Sequence, residues 1–243
     1  GMTLTILIGL WKDDEVSFDT YHKNYDRSAQ VMQNATSNFV IKTAPSVPSV
    51  LAEEIRNKYG SDFKYVLQAS FNTDHTLTYG EKMFIKPGTF WEPQVAEMLG
   101  LKMISGTRDG LRDPHSILLS QSVAEVYFGK EDPLNKIIRI DNRENVKVTG
   151  VYEDLPDNTT FRDMQFILPW DLYFILNPWL KNQSNPWGNN FTQTFVQIAD
   201  NADMQKVSAK IRDVKLNKVS KGEAQYKPTL FLYPMSKWHL YSD

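Results

Sequence analysis

Four histidines are the first residues to test for chemistry: His22, His75, His115 and His239. None stands at metal-ligand spacing from another, and no His-Glu-x-x-His occurs, so nothing places two imidazoles on one ion. The chain has no cysteine, which excludes thiolate zinc sites, cysteine nucleophiles and disulfides. A serine triad has no Gly-x-Ser-x-Gly elbow to anchor it, and no Walker-type loop is present to cradle a nucleotide. Asp13, Asp14 and Glu15 are adjacent acids, but acid–base catalysis needs burial to tune a carboxylate, and a run of charge stays solvated. Gly129-Lys130-Glu131-Asp132-Pro133 follows a capped helix and reads as a turn. The expectation is no catalytic residue, no metal and no cofactor.

One group of residues has binding promise. Trp170, Tyr173, Phe174, Trp179 and Trp187 lie among Asn and Pro in a segment, 170–190, that carries no clear helix or strand pattern. Aromatics on loops stack on sugars or receive a partner's apolar side chain. The competing reading is that they fill the core beneath an irregular loop, and it is preferred because large aromatics tend to bury their area. The five are the candidate partner or ligand contacts.

The elements that position these residues follow from periodicity and punctuation. A polar amphipathic stretch runs from Phe18 to Asn34. The pattern then predicts a strand over 38–43, and a helix with Ser46 as N-cap, Pro48 in its first turn and Leu51, Ile55 and Tyr59 on one face. A strand over 63–71 completes a β-α-β unit. In the middle, a short helix is expected over 91–99 and a short strand over 117–119. A helix capped by Ser120 and stopped by Gly129 follows, then a hairpin of 137–141 with 146–151 and a strand over 164–168. The end repeats the opening: a strand over 194–198, a helix on Met204, Val207, Ile211 and Val214 with Asp200 or Asp203 near its start, and a strand over 229–233. With 243 residues, 41% hydrophobic and 12% aromatic, the chain has apolar material for one sizeable core or two smaller ones. A net charge of −2 leaves no basic footprint for nucleic acid.

Gly1 ahead of Met2 reads as a cloning remnant. The apolar run Met2–Trp11 is about half of the ~20 residues that span a bilayer. It is either a buried strand or the outer end of a transmembrane helix. Trp11 followed by charge favours the second, as an aromatic at the interface with charges in water.

Three segments in order resemble the MacB-like periplasmic core domain of FtsX/MacB-type ABC transporter permeases. They are Asp14–Arg27 (DEVSFDTYHKNYDR), then Leu118–Ala124 with Tyr127-Phe128-Gly129 and Asp132-Pro133-Leu134, then Val148–Val151 with Asp154-Leu155-Pro156 and Asn158. Two departures stand out: Asn135 where the family has Gly, and Ser28-Ala29-Gln30-Val31 where it has an Ile-Tyr-Arg-Val-like run. Asn tolerates a left-handed turn, so the first need not disturb the fold.

The resemblance implies a domain between the first and second of four transmembrane helices, on the periplasmic side of a bacterial inner membrane. Its partners would be a cytoplasmic ABC ATPase, a second permease copy and a periplasmic or outer-membrane accessory protein, and its role to couple ATP-driven helix motion to events outside. A secreted glycan-binding or glycan-processing module using the 170–190 aromatics is the alternative. The expected fold is α+β. Residues 1–34 form a membrane-proximal segment. A discontinuous, porter-like α/β subdomain is built from the two β-α-β units (35–79 and 191–243). A strand-rich, sabre-like subdomain (80–190) is inserted in it. Chain entry near 35 and exit near 243 are expected on one side, together with Met2–Trp11 and Trp238–Tyr241, because both ends of such a loop return to one membrane.

Overall fold

The computed structural model describes residues 17–241; Met2–Trp11 and the acids 13–15 lie outside that range. In chain order come β1 (Ser28–Ser37), β2 (Val40–Ala44), β3 (Val47–Pro48), α1 (Leu51–Tyr59), β4 (Phe63–Ala69), β5 (Thr73–Tyr79), β6 (Lys82–Trp91), α2 (Val95–Met98), β7 (Met103–Gly106) and β8 (Ser116–Ser120). There follow α3 (Gln121–Phe128), β9 (Ile137–Ile140), β10 (Glu144–Tyr152), β11 (Phe166–Pro169), α4 (Trp170–Leu176), β12 (Asn190–Ile198), α5 (Met204–Ile211), α6 (Lys221–Ala224) and β13 (Thr229–Pro234).

Four strands pair in the order β4-β12-β1-β13, each neighbour antiparallel. β1 and β4 therefore run parallel and need a crossover, which α1 supplies; β12 and β13 are parallel and joined through α5. This is the split β-α-β arrangement, with both helices on one face. Ala29 and Val31 of β1, Ile55 of α1, Val196 of β12, Val207 of α5 and Leu232 of β13 share that core.

Several expectations are corrected. The strand opening the first unit is Ser28–Ser37, not 38–43; Asn38 and Phe39 form the turn of a hairpin and β2 runs back along β1. Buried polar residues hid it: Gln33 points inward and donates to the Ser46 carbonyl at 2.7 Å. Ser46 is not an N-cap. The helix starts at Leu51 with Val50 at the cap position and no side-chain cap, because Val47-Pro48 is drawn out to pair with β12. Trp91 ends a strand, and the helix expected from there is only Val95–Met98. Ser120 does cap α3, accepting from Val123 N–H, and Asp203 caps α5, accepting from Lys206 N–H at 2.9 Å. Asn135 takes φ +65°, the left-handed value its place opposite a family Gly predicts.

The middle of the chain closes on itself. Strands pair in the circuit β8-β10-β9-β5-β6-β11 and β11 returns to β8, so six strands form a barrel. Leu77, Phe90, Ile140, Val148 and Phe166 fill it, and Tyr127 of α3 donates its hydroxyl proton to the Leu77 carbonyl at 2.7 Å. Gly88 lets the ring of Phe166 in, since a Cβ there would sit 2.3 Å from Phe166 Cζ. The β5–β6 hairpin, turning at Gly80 (φ +57°), had no counterpart in the sequence reading. Residues 73–79 thus pair within the barrel.

A third core joins the two. It lies on the face of the four-stranded group opposite its helices, around Leu67, Trp91, Leu99, Tyr152, Phe195 and Trp238. The Ala69–Trp91 pairing carries hydrogen bonding from β4 into β6 across the same region.

Candidate functional site

The third core is where the two ends of the described chain meet. Asp19 sits at φ +58°, fully buried, and its carboxylate is held on every side. Its Oδ1 accepts from the Thr159 hydroxyl and from Thr160 N–H, both at 2.8 Å, and its Oδ2 from the Thr160 hydroxyl at 2.9 Å. Asp19 N–H donates to the Asn158 carbonyl at 2.8 Å. One turn on, His22 is 1% exposed, with Nδ1 2.8 Å from the Leu99 carbonyl and Nε2 2.7 Å from Thr159 Oγ1. A carbonyl only accepts, so Nδ1 carries a proton. Burial pushes the ring below its usual pKa, against the Leu99 carbonyl and the Asp19 carboxylate, which pull it up. Thr159 Oγ1 thus sits between Asp19 Oδ1 and His22 Nε2 with a single proton to share. A charged-looking segment is thereby locked to the loop after β10.

Phe161, two residues beyond Thr159, is the hub. Its ring meets His22 at 5.6 Å, Trp91 at 5.8 Å, Phe195 at 5.6 Å and Trp238 at 5.8 Å, all edge-to-face or nearly so. Trp91 and Phe195 stack at 4.8 Å beneath it. Trp238 donates its indole N–H to the Tyr233 carbonyl at 2.9 Å, which fixes the chain after β13. Ala29 lies opposite Pro234, so β1 begins where β13 ends. The chain enters the sheet at Ser28; Ala35 is already well along β1 towards the hairpin, and residue 243 lies outside the described range.

The five aromatics singled out in the sequence fall in three places. Trp170 is buried and stacks on Tyr173 at 4.7 Å, with Phe174 edge-on at 5.8 Å; these three seat α4 on the barrel. Trp179 is exposed beside Phe191 at 5.3 Å. Trp187 packs against the helical face of the four-stranded group under Lys218. No single surface presents all five.

Trp170 and Phe174 do line one cleft, of about 420 Å³, between the start of α1 and α4, with Glu53, Arg56, Glu92 and Lys181. Arg56 Nη1 donates to Glu92 Oε2 at 2.7 Å and to the Val66 carbonyl at 2.6 Å, and Gln68 N–H donates to the same carboxylate oxygen at 2.8 Å. The pair is used up in holding α1 to β4. Among the described residues no group of His, Asp or Glu is arranged to hold a metal ion.

The family model for the MacB-like periplasmic core domain matches residues 1–214. The chain belongs to that family. It is the periplasmic-type domain of a MacB/FtsX-like ABC transporter permease. Among solved structures, the chain is similar to a domain assigned to a permease from Porphyromonas gingivalis, with TM-score 0.70 at 20% identity over 87% of this chain and 90% of that one. It is also similar to the periplasmic region of MacB from Actinobacillus actinomycetemcomitans, with TM-score 0.61 at 15% identity over 90% and 95% of the two chains. The extracellular domain of the ABC-type transporter YknZ from Gram-positive bacteria gives TM-score 0.56 at 16% identity over 84% and 99%. At these identities the likeness is one of fold. No protein with a curated description matches. No helix among the described residues is long and apolar enough to cross a membrane.

What the sequence reading missed in this MacB-like domain is the Asp19–His22 lock and its Thr159–Phe161 receptor. The lock lies in the family-like segment 14–27 and its receptor begins one residue after Asn158, where the third family-like segment ends; nothing in the sequence signals that the two meet. For the lock alone, the spacing of Asp19 and His22, three apart in a polar stretch, was the signal available.

Proposed function

We propose that this domain is a mechanical relay: it receives movement at its two chain ends and passes it to a body held outside the membrane, with no chemistry of its own. The observation that carries the reading is the Phe161 hub. One side chain touches the segment entering the domain through His22, the segment leaving it through Trp238, the four-stranded group through Phe195, and β6 through Trp91. A displacement of either end presses on both lobes at once, because close-packed rings transmit strain and do not absorb it.

In this reading the lobes are a porter-like unit, residues 28–69 with 190–238, and a sabre-like barrel, residues 73–169. The permease sits in a bacterial inner membrane with the domain on the periplasmic side. A cytoplasmic ATPase supplies the energy, a second permease copy completes the transporter, and an accessory protein receives the movement. The missing cysteine makes the test direct, since a single introduced thiol is labelled uniquely within this domain. With a spin label at Glu81→Cys, in the barrel hairpin turn, the label-to-label distance between the two copies of the reconstituted permease is expected to change between nucleotide-free and ATP-trapped states. A distance that stays constant contradicts the relay.

A further inference from the structure

The four-stranded group has two outer edges, and the molecule treats them in opposite ways. On β13 the outward N–H groups are occupied or missing. Leu230 N–H donates to the Arg212 carbonyl at 2.8 Å, Leu232 N–H to Ser208 Oγ at 2.9 Å, and Pro234 has no N–H to offer. These are devices that stop another strand from adding. On β2 the outward N–H groups are left open, and Lys42 is the one such device on the strand. β2 pairs only with β1, through the hairpin in which Ser37 faces Val40. In a two-residue hairpin that flanking pair is hydrogen-bonded, and the pairing alternates from there. Val40, Lys42 and Ala44 therefore point their backbone groups at β1, and Ile41 and Thr43 point theirs away. Neither outward N–H has a partner among the described residues.

The turn and the first half of this edge are apolar and bare. Phe39 is fully exposed, Val40 55% and Ile41 65%. Phe39 also holds φ +64°, after Asn38 at +49°. That is a type I′ turn, whose second position favours Gly, and a bulky residue there is strained. Among the described residues no contact compensates the strain at Phe39. Lys42, in the middle of the strand, has no ion-pair partner among the described residues. Beside the hairpin, Thr36 N–H donates to the Tyr226 carbonyl at 2.7 Å, which brings a half-exposed tyrosine and Lys227 to the same end. The tip lies at the end of β1 away from Ala29 and Pro234, and so away from where the chain ends meet.

We infer that β2 is a strand-addition edge that takes an extended segment of another protein, with an apolar residue opposite Ile41 and a carboxylate opposite Lys42. Main-chain hydrogen bonds to Ile41 and Thr43 give the register, and Phe39 closes over the end of the added strand. A second copy of this chain fits less well. Antiparallel β2–β2 pairing centred on the strand sets Lys42 against Lys42, and like charges directly opposite are unfavourable. The inference rests on the transporter reading only for where the partner is met.

The test uses the intact permease in its host, with a photoreactive phenylalanine analogue at position 39, in the otherwise unaltered protein and in three variants of it. Ile41→Pro removes an N–H that β1 does not use, which an edge strand tolerates, and blocks strand addition. Ile41→Thr keeps the N–H and the strand propensity while removing apolar surface. The expected result is a cross-link to a different protein whose yield falls about tenfold in Ile41→Pro and about twofold or less in Ile41→Thr, and which Lys42→Glu also weakens. Circular dichroism of the isolated domain carrying Ile41→Pro checks that the hairpin survives. A cross-link between two permease copies, a cross-link to lipid, no cross-link, or one indifferent to Ile41→Pro overturns the inference. The spin-label distances of the relay test read a different lobe, so either idea can fail alone.

Discussion

Phe161 and Trp238 meet edge-to-face with ring centroids 5.8 Å apart, and through that contact the segment leaving the domain rests on the loop that holds the segment entering it. Phe161 is only half-buried, yet four aromatic or imidazole rings lean on it. Phe161→Ala is expected to lower stability by about 2–3 kcal/mol, somewhat under the usual cost for a fully buried ring. A double-mutant cycle with Trp238→Ala by urea unfolding should give a coupling of about 1 kcal/mol. Strict additivity of the two substitutions would mean that the rings do not support each other.

The barrel depends on a missing side chain. Because a Cβ at Gly88 would lie 2.3 Å from the Phe166 ring, Gly88→Ala must displace that ring from the barrel core. The expected loss is about 3 kcal/mol by thermal unfolding. Adding Phe166→Leu should recover part of it, since a smaller side chain leaves room for the methyl.

Acid should loosen the chain entry. The fold holds His22 below the ordinary imidazole value of 6.5, chiefly through burial. For a base with a lowered folded pKa, the unfolded chain binds more protons as pH falls below 6.5. The stabilisation is thus present above that pH and is lost beneath it. Thermal midpoints measured from pH 8 to pH 5 should fall on the acid side, and the fall should be shallower in His22→Gln. Equal acid slopes in the two proteins would remove His22 from the account.

Alkali should do the reverse at Lys215. This side chain is 5% exposed and donates to Asn190 Oδ1 at 2.7 Å and Gln33 Oε1 at 2.5 Å. Burial pushes its ammonium down to about 8, against a modest pull upward from Glu223. Between pH 8 and 10.5 the unfolded chain keeps a proton the folded one has released, so stability rises with pH across that window. Lys215→Met should flatten the rise in urea titrations at pH 8 and pH 10.

The sequence carried the second half of the four-stranded group well. Val207 and Ile211 recur at helical spacing, Asp203 caps them, and 229–233 alternates as a half-buried strand does. It carried β1 poorly, since Ser28, Gln30 and Gln33 read as solvent-facing. Ser28 and Gln33 are instead buried and hydrogen-bonded to Asn24 and Ser46 carbonyls. Barrel closure was beyond reach, because β11 meets β6 and β8 through only a few residue pairs each and no local pattern encodes such distant partners. The Asp19–His22 lock was invisible for a related reason. Asp19, His22 and Thr159 satisfy one another across the chain, and polar residues advertise burial only once their partners are known.

The central claim, that both chain ends are seated on one shared support, is tested most directly by amide hydrogen exchange in Trp238→Ala. The reporters are the N–H groups of Asp19, His22, Tyr25 and Arg27, which bond to the carbonyls of Asn158, Asp19, His22 and Asn24. With Phe161 deprived of Trp238, these amides should exchange about tenfold faster than in the unaltered protein, while those of α3 in the barrel stay unchanged. If exchange quickens only in β13 and residues 17–27 keep their protection, the two ends are seated independently and the relay has no common support.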